Sequence, residues 1–214
     1  MGKHMQTSSK MMLISTFFII LLYTYFYQIV DRSIALEIYQ GINPHLRTIC
    51  SFISSIGTPI FWTIACLTGF FFFIICYLIN KIPPFSYRIF YLSSSIFLAQ
   101  ILGAIIKYSI GRARPILFLQ QHIYGFHPFS FTKAYDSTPS GHTLCLFALA
   151  YMTAFYYRRW SYILFMIAIS VGISRILLSQ HYVSDVLLGG YIGMFSAFIT
   201  QQILQKNTIS LNRI

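Results

Sequence analysis

Long uncharged runs alternate with short charged segments along this chain. Met11–Val30, Pro59–Ile79, Ile89–Ile106, Gly141–Tyr157, Trp160–Leu178 and Val186–Gln205 are apolar almost throughout, with Arg175 the one charge inside them. A helix that crosses a bilayer needs roughly 20 mostly apolar residues. The pattern therefore predicts an all-α, polytopic membrane protein with six transmembrane helices. Pro59 follows Gly57 and Thr58, which suits the first turn of a helix. Thr48–Ile56 is apolar but too short to span, and is expected in the interface. The longest connection, Lys107–Ser140, carries Phe118, Tyr124, Phe126, Phe129, Phe131 and Tyr135. Aromatic rings favour the headgroup zone. The loop is expected to rest on the membrane, and a sharper reading makes it the doorway for a lipid tail. Gly189, Gly190 and Gly193 place small residues one turn apart in the sixth span and predict close helix packing.

Composition agrees. Of 214 residues, 57% are apolar and only 9% charged, against about 25% charged in an ordinary soluble domain. No linker or composition shift divides the chain, so residues 1–214 read as one domain. The 20 charge-free residues after Lys10 are too long for the core of a cleaved signal and read as a retained anchor. Met5 reads as the natural start, with Gly2–His4 a cloning remnant. The formal net charge of +11 does not imply nucleic acid, because the basic residues are scattered between apolar runs. Cys50, Cys66, Cys76 and Cys145 show no paired spacing, so neither disulfides nor a zinc site is expected.

The charges also orient the chain. With the N-terminus inside, Lys3, Lys10, Lys81, Arg88, Arg158, Arg159, Lys206 and Arg213 fall inside. Arg32, Arg47, Lys107, Arg112, Arg114, Lys133 and Arg175 fall outside. Setting aside Lys107, Arg114 and Arg175 as site residues, the excess lies inside, as the positive-inside rule requires. Asp31, Glu37, Asp136 and Asp185 all fall outside.

Three short segments meet at that outer face: Lys107 to Arg114-Pro115, Pro139-Ser140-Gly141-His142, and Ser174-Arg175 with His181 and Asp185. Lys107, Arg114 and Arg175 are cations at membrane edges, where charge is expensive and usually functional. Three cations with few counter-charges imply an anion, and the arginine fork suits phosphate oxygens. Ser140 and Gly141 open a helix, whose free N–H groups and dipole favour an anion too. Together these groups could hold a phosphoryl group without metal. His181 and Asp185 are four apart and would share one helical face. The carboxylate would fix one ring nitrogen and leave the other free to attack phosphorus. His142 could protonate the leaving oxygen and then activate water. Taken singly, membrane-edge cations are usually headgroup anchors, and Arg32, Arg47, Arg112 and Lys133 are read so. His45, His122 and His127 are read as structural, and no histidine pair has metal-ligand spacing.

The pattern Lys-x6-Arg-Pro, Pro-Ser-Gly-His, Ser-Arg-x5-His-x3-Asp resembles the type-2 phosphatidic acid phosphatase superfamily at every signature position. The resemblance implies a six-helix membrane phosphatase working through a phosphohistidine, with no cofactor or metal. It implies His181 as nucleophile, Asp185 as its partner and His142 as acid and base. Lys107, Arg114, Ser140, Gly141 and Arg175 become the phosphate pocket. The substrate would be a phospholipid or lipid A-type molecule. The site would face the periplasm from a bacterial inner membrane, with both termini cytoplasmic. The compact chain resembles lipid A phosphatases, phosphatidylglycerophosphate phosphatases and undecaprenyl pyrophosphate phosphatases. Overall resemblance, including Tyr124-Gly-Phe-His-Pro128, favours the first. Transfer of the phosphoryl group to an acceptor lipid is the alternative reaction. A transporter or anion channel would carry charges deep in its spans, and these spans are clean.

Overall fold

The computed structural model describes the backbone of residues 2–211 and the side chains of residues 10–204. The side chains of Lys3, His4, Lys206 and Arg213, and the proposed remnant Gly2–His4, lie outside those described side chains. Among the described residues nine α-helices follow one another: α1 Gly2–Tyr25, α2 Asp31–Gly41, α3 Pro44–Ser55, α4 Pro59–Leu78, α5 Pro84–Ile110, α6 Pro115–Gln121, α7 Gly141–Tyr156, α8 Arg158–Leu177 and α9 Val183–Leu211. A π-helical turn, Phe26–Val30, joins α1 to α2 without a break. Among the described residues extended pairing is limited to one bridge between Arg112 and Phe126.

Among the described residues five segments are long and apolar enough to cross a bilayer: Lys10–Gly41, Pro44–Leu78, Pro84–Ile110, Arg158–Leu177 and Val183–Leu204. The fourth expected span, α7, has only 16 residues, about 24 Å at 1.5 Å per residue. It is also the most enclosed helix, packed against α4, α5, α8 and α9. Its N-terminal end is buried in protein at Thr143, Leu144 and Cys145, where backbone at membrane depth is tolerated.

Small residues let the helices close on α7. Cys145, Ala148, Ala150, Ala168 and Ala197 are fully buried. A Cβ on Gly193 would lie 2.3 Å from the Leu144 carbonyl oxygen. Glycine there permits the backbone contact between α7 and α9 that its spacing predicts. The large apolar side chains point outward instead, as at Phe17, Phe71 and Ile163. In a soluble protein such a surface would aggregate; here it faces lipid.

The segment expected in the interface is a packed helix. Asn43 caps α3 by accepting from the His45 N–H at 2.8 Å, and α3 lies along α8 with Cys50 and Ser54 buried. The long loop is folded as well. Gly111 ends α5 at φ +60°, and a Cβ there would sit 1.8 Å from the His127 carbonyl oxygen, so only glycine makes the turn. Beyond it the Ala113, Arg114 and Ser137 N–H groups donate to Gly125, Ala134 and Arg112 carbonyls. Tyr124 turns inward onto Tyr27. Phe129 and Phe131 point out, 73% and 77% exposed.

Candidate active site

All eight residues singled out in the sequence gather at one end of the bundle. Lys107 is in the last turn of α5 and Arg175 in the last turn of α8. Arg114 precedes α6, Ser140 is the N-cap of α7, and Gly141 and His142 begin it. His181 lies in the short link between α8 and α9, and Asp185 in the first turn of α9.

The link changes the relation expected of His181 and Asp185. They do not share a helical face, because His181 precedes the helix. Its Nδ1 is 3.9 Å from the nearer Asp185 oxygen and 2.6 Å from the Ser137 carbonyl oxygen. A carbonyl can only accept, so Nδ1 carries the hydrogen and Nε2 of the neutral ring keeps its lone pair. His181 is buried. Burial, then the charges of Arg175, Arg114 and Lys107, hold its pKa well below 6.5. The ring is therefore neutral at ordinary pH, as a nucleophile requires.

Asp185 is occupied elsewhere. Its carboxylate accepts from Arg112 Nη1 at 2.6 Å, Ser137 Oγ at 2.6 Å, Thr138 Oγ1 at 2.5 Å and the Tyr182 N–H at 2.9 Å. The last bond makes Asp185 the third-position half of a capping box on α9. The Asp185 carbonyl accepts the Ser140 N–H at 3.0 Å. That N–H is thus spent, contrary to the sequence expectation. No side chain caps α7 at Ser140, which leaves the N–H groups of the first turn, beginning at Gly141, without helical partners.

The three expected cations do converge, and each has a partner. Asp136 Oδ1 accepts from Arg114 Nε at 2.6 Å, and its carbonyl accepts from Lys107 Nζ at 2.5 Å. Arg114 Nη1 also donates to Gln180 Oε1 at 2.8 Å. Arg175 Nη1 donates to Ser54 Oγ at 2.9 Å, while its Nε is buried with no partner among the described residues. An unpaired buried N–H is costly, and a phosphate oxygen would relieve it. Among the described residues no three His, Cys, Asp or Glu side chains group as a metal site would need.

Sequence reasoning missed four residues here. Arg112, read as a headgroup anchor, is fully buried. It pairs with Asp31 at 2.8 Å and Asp185 at 2.6 Å. Asp136 and Ser137 complete the set. One signal was available: three of the chain's four acids, Asp31, Asp136 and Asp185, lie at this end, where buried charge demands a partner.

Comparison with known proteins agrees with this arrangement. A family model described as the PAP2 superfamily matches residues 88–209, a stretch that includes all three signature segments. A lipid A 1-phosphatase of Rhizobium etli is 33% identical over 110 residues, 51% of this chain and 47% of that protein. The chain thus spans about half the length of that curated relative. The crystal structure of Aquifex aeolicus LpxE superposes with a TM-score of 0.59 at 20% identity, covering 81% of this chain and 95% of that one. The structure of a transmembrane PAP2-type phosphatidylglycerolphosphate phosphatase from Bacillus subtilis gives 0.63 at 21% identity, covering 91% and 96%. At those identities the two structures share the fold with this chain.

Proposed function

Because the chain belongs to the PAP2 superfamily, we propose that it is an integral membrane phosphatase acting on a phosphate monoester or pyrophosphate of an anionic lipid. The observation that carries this reading is the neutral His181 ring. Its Nδ1 hydrogen is fixed on the Ser137 carbonyl, and burial, then the charges of Arg175, Arg114 and Lys107, disfavour its protonation. Those cations would bind the phosphoryl oxygens and the charge that develops on them. Nε2 would attack phosphorus as the bond to the lipid oxygen breaks. His142, taking up a proton as the phosphate anion binds among the three cations, would give that proton to the leaving oxygen. A water that then loses a proton to His142 would attack the phosphohistidine, releasing inorganic phosphate and restoring both rings. No step calls for a metal.

Lipid A is the first candidate substrate, supported by the named relative in Rhizobium etli. The charge bias of the loops supports a site on the outer face, periplasmic in a Gram-negative bacterium, with both ends of the chain cytoplasmic. Purified protein should be offered lipid A, phosphatidylglycerophosphate, phosphatidic acid and undecaprenyl pyrophosphate, with free phosphate as the readout. Release from at least one lipid, absent in His181→Ala, is expected. Labelled phosphate that appears on an acceptor lipid, with none free, would replace hydrolysis with transfer.

A further inference from the structure

The most buried charges among the described residues, Arg112, Asp185 and Asp31, lie outside the expected phosphate pocket. Arg112 sits between two carboxylates from opposite ends of the sequence. Nη2 donates to Asp31 Oδ2 at 2.8 Å, and Nη1 to Asp185 Oδ1 at 2.6 Å. Ser184 Oγ also accepts from Nη1 at 2.6 Å and donates to Asp31 at 2.5 Å. The Ser184 N–H donates to the other Asp31 oxygen at 3.1 Å. The rings of Tyr27 and Tyr182 flank the guanidinium, with centroids 4.9 and 4.3 Å from Cζ. Arg112, Asp31 and Asp185 are all shut off from solvent.

A chain of bonds leads from this cluster to the candidate nucleophile. Arg112 holds the Asp185 carboxylate, whose other oxygen accepts from Ser137 Oγ at 2.6 Å. The Ser137 N–H donates back to the Arg112 carbonyl at 3.1 Å. Ser137 is thus pinned on two sides, and its one remaining polar group, the carbonyl, receives His181 Nδ1. A ring mis-aimed by as little as 1 Å can cost about 10²-fold in rate. The planar two-armed guanidinium is the one side chain that can bond two carboxylates at once in fixed geometry.

We propose that Arg112, anchored by Asp31 of α2, is a positioning residue for His181, acting through Asp185 and Ser137. The first helix pair, which lies outside residues 88–209 matched by the family model, is then part of the reaction machinery as well as an anchor. The proposal rests on the phosphatase reading for its kinetic consequence, but the geometry has its own readout.

Arg112→Lys keeps the charge but cannot bond both carboxylates with one rigid group. Assayed on lipid A in mixed micelles, it should lower kcat by about 10- to 100-fold and leave KM within about threefold, because the phosphate pocket is untouched. In the wild type, proton NMR should show a downfield His181 Nδ1 hydrogen, absent in His181→Ala and weakened or shifted in Arg112→Lys. The companion variant Arg112→Met with Asp31→Asn removes one charge of each sign and should lower kcat by at least as much. A folded Arg112→Lys protein with unchanged kcat and an unchanged proton resonance would overturn the proposal. So would a loss expressed in KM alone. Failure of both variants to fold would assign the cluster to stability only, and would overturn it too. If the wild type releases phosphate from no lipid, the phosphatase reading fails, and the resonance still decides the positioning.

Discussion

His181 Nδ1 lies 2.6 Å from the Ser137 carbonyl oxygen and 3.9 Å from the Asp185 carboxylate. A peptide carbonyl orients the ring without offering a full charge to balance an imidazolium. The ring is therefore held in one tautomer and kept neutral. Asp185 stands one bond further back, and its loss should act through loop geometry. His181→Ala should abolish turnover, at least about 10³-fold, whereas Asp185→Asn should be severe but measurably active. Trapping of labelled phosphohistidine by an alkaline, denaturing quench, which preserves the acid-labile P–N bond, should detect the adduct in wild type and in Asp185→Asn, but not in His181→Ala.

Acidification should expose the neutral ring. The folded-state pKa of His181 is depressed, through burial and then through Arg175, Arg114 and Lys107. Protonation of the free enzyme's nucleophile therefore begins only well below 6.5. The acid limb of kcat/KM should show no His181 break near 6.5 once titration of the substrate phosphate is subtracted. The unfolded chain binds the proton more readily, so the linked stability is fully present above 6.5 and is lost as pH falls from there toward the folded value. A fluorescence melt from pH 8 to pH 5 should record a falling Tm.

Ser54 supplies the Arg175 guanidinium with its one hydrogen-bonded partner among the described residues, at 2.9 Å. Ser54→Ala frees the guanidinium to wander from its pose over the pocket. A hydrogen bond to a charged group is worth about 1.5–3 kcal/mol, so KM should rise roughly 10-fold with a smaller change in kcat. Ser54→Thr, which keeps the hydroxyl, should restore most of it. Steady-state kinetics on the three proteins measures this.

Gly193→Ala places a methyl 2.3 Å from the Leu144 carbonyl oxygen. Backbone cannot yield as a flexible side chain would, so α9 must lift from α7. A loss of about 1–3 kcal/mol is expected, read as a lower Tm in detergent. Gly41→Ala meets nothing within 4 Å and serves as the control.

Chelation should leave phosphate release unchanged, and vanadate should compete with substrate for Lys107, Arg114 and Arg175. Inhibition by chelator that added metal reverses would contradict the cationic pocket.

How much of this was legible in the sequence follows from what each signal measures. Hydrophobic runs mark what touches lipid, so the long spans could be read to within a few residues. α1–α2 ran further, because the π turn at Phe26–Val30 lets a polar continuation stay helical past Val30. The packing of α3 against α8 is a tertiary choice that a nine-residue apolar run does not record. That the eight residues belong together was legible because their spacing repeats a known signature. Their bonding was not. Helical spacing suggested that His181 and Asp185 touch, yet the helix begins after His181, so the four-residue rule does not apply. Arg112 was misread because a lone interfacial arginine looks the same from sequence whether it faces headgroups or two buried carboxylates. Asp31, its partner, is 81 positions away.

α7 begins at the Ser140 cap and carries His142, yet among the described residues it is shorter than the segments long and apolar enough to span. A run of 16 apolar residues is a poor stand-alone membrane anchor. During synthesis it must therefore be retained in the bilayer by the company it keeps, α5 made before it and α8 and α9 made after. The Ser140 N–H finds its acceptor only in Asp185, so the start of α7 is not fixed until the final helix has been made. A ribosome stalled short of α9 would leave in the membrane a chain whose cations have their partners in Asp136, Gln180 and Ser54, but whose Ser140 N–H has no acceptor.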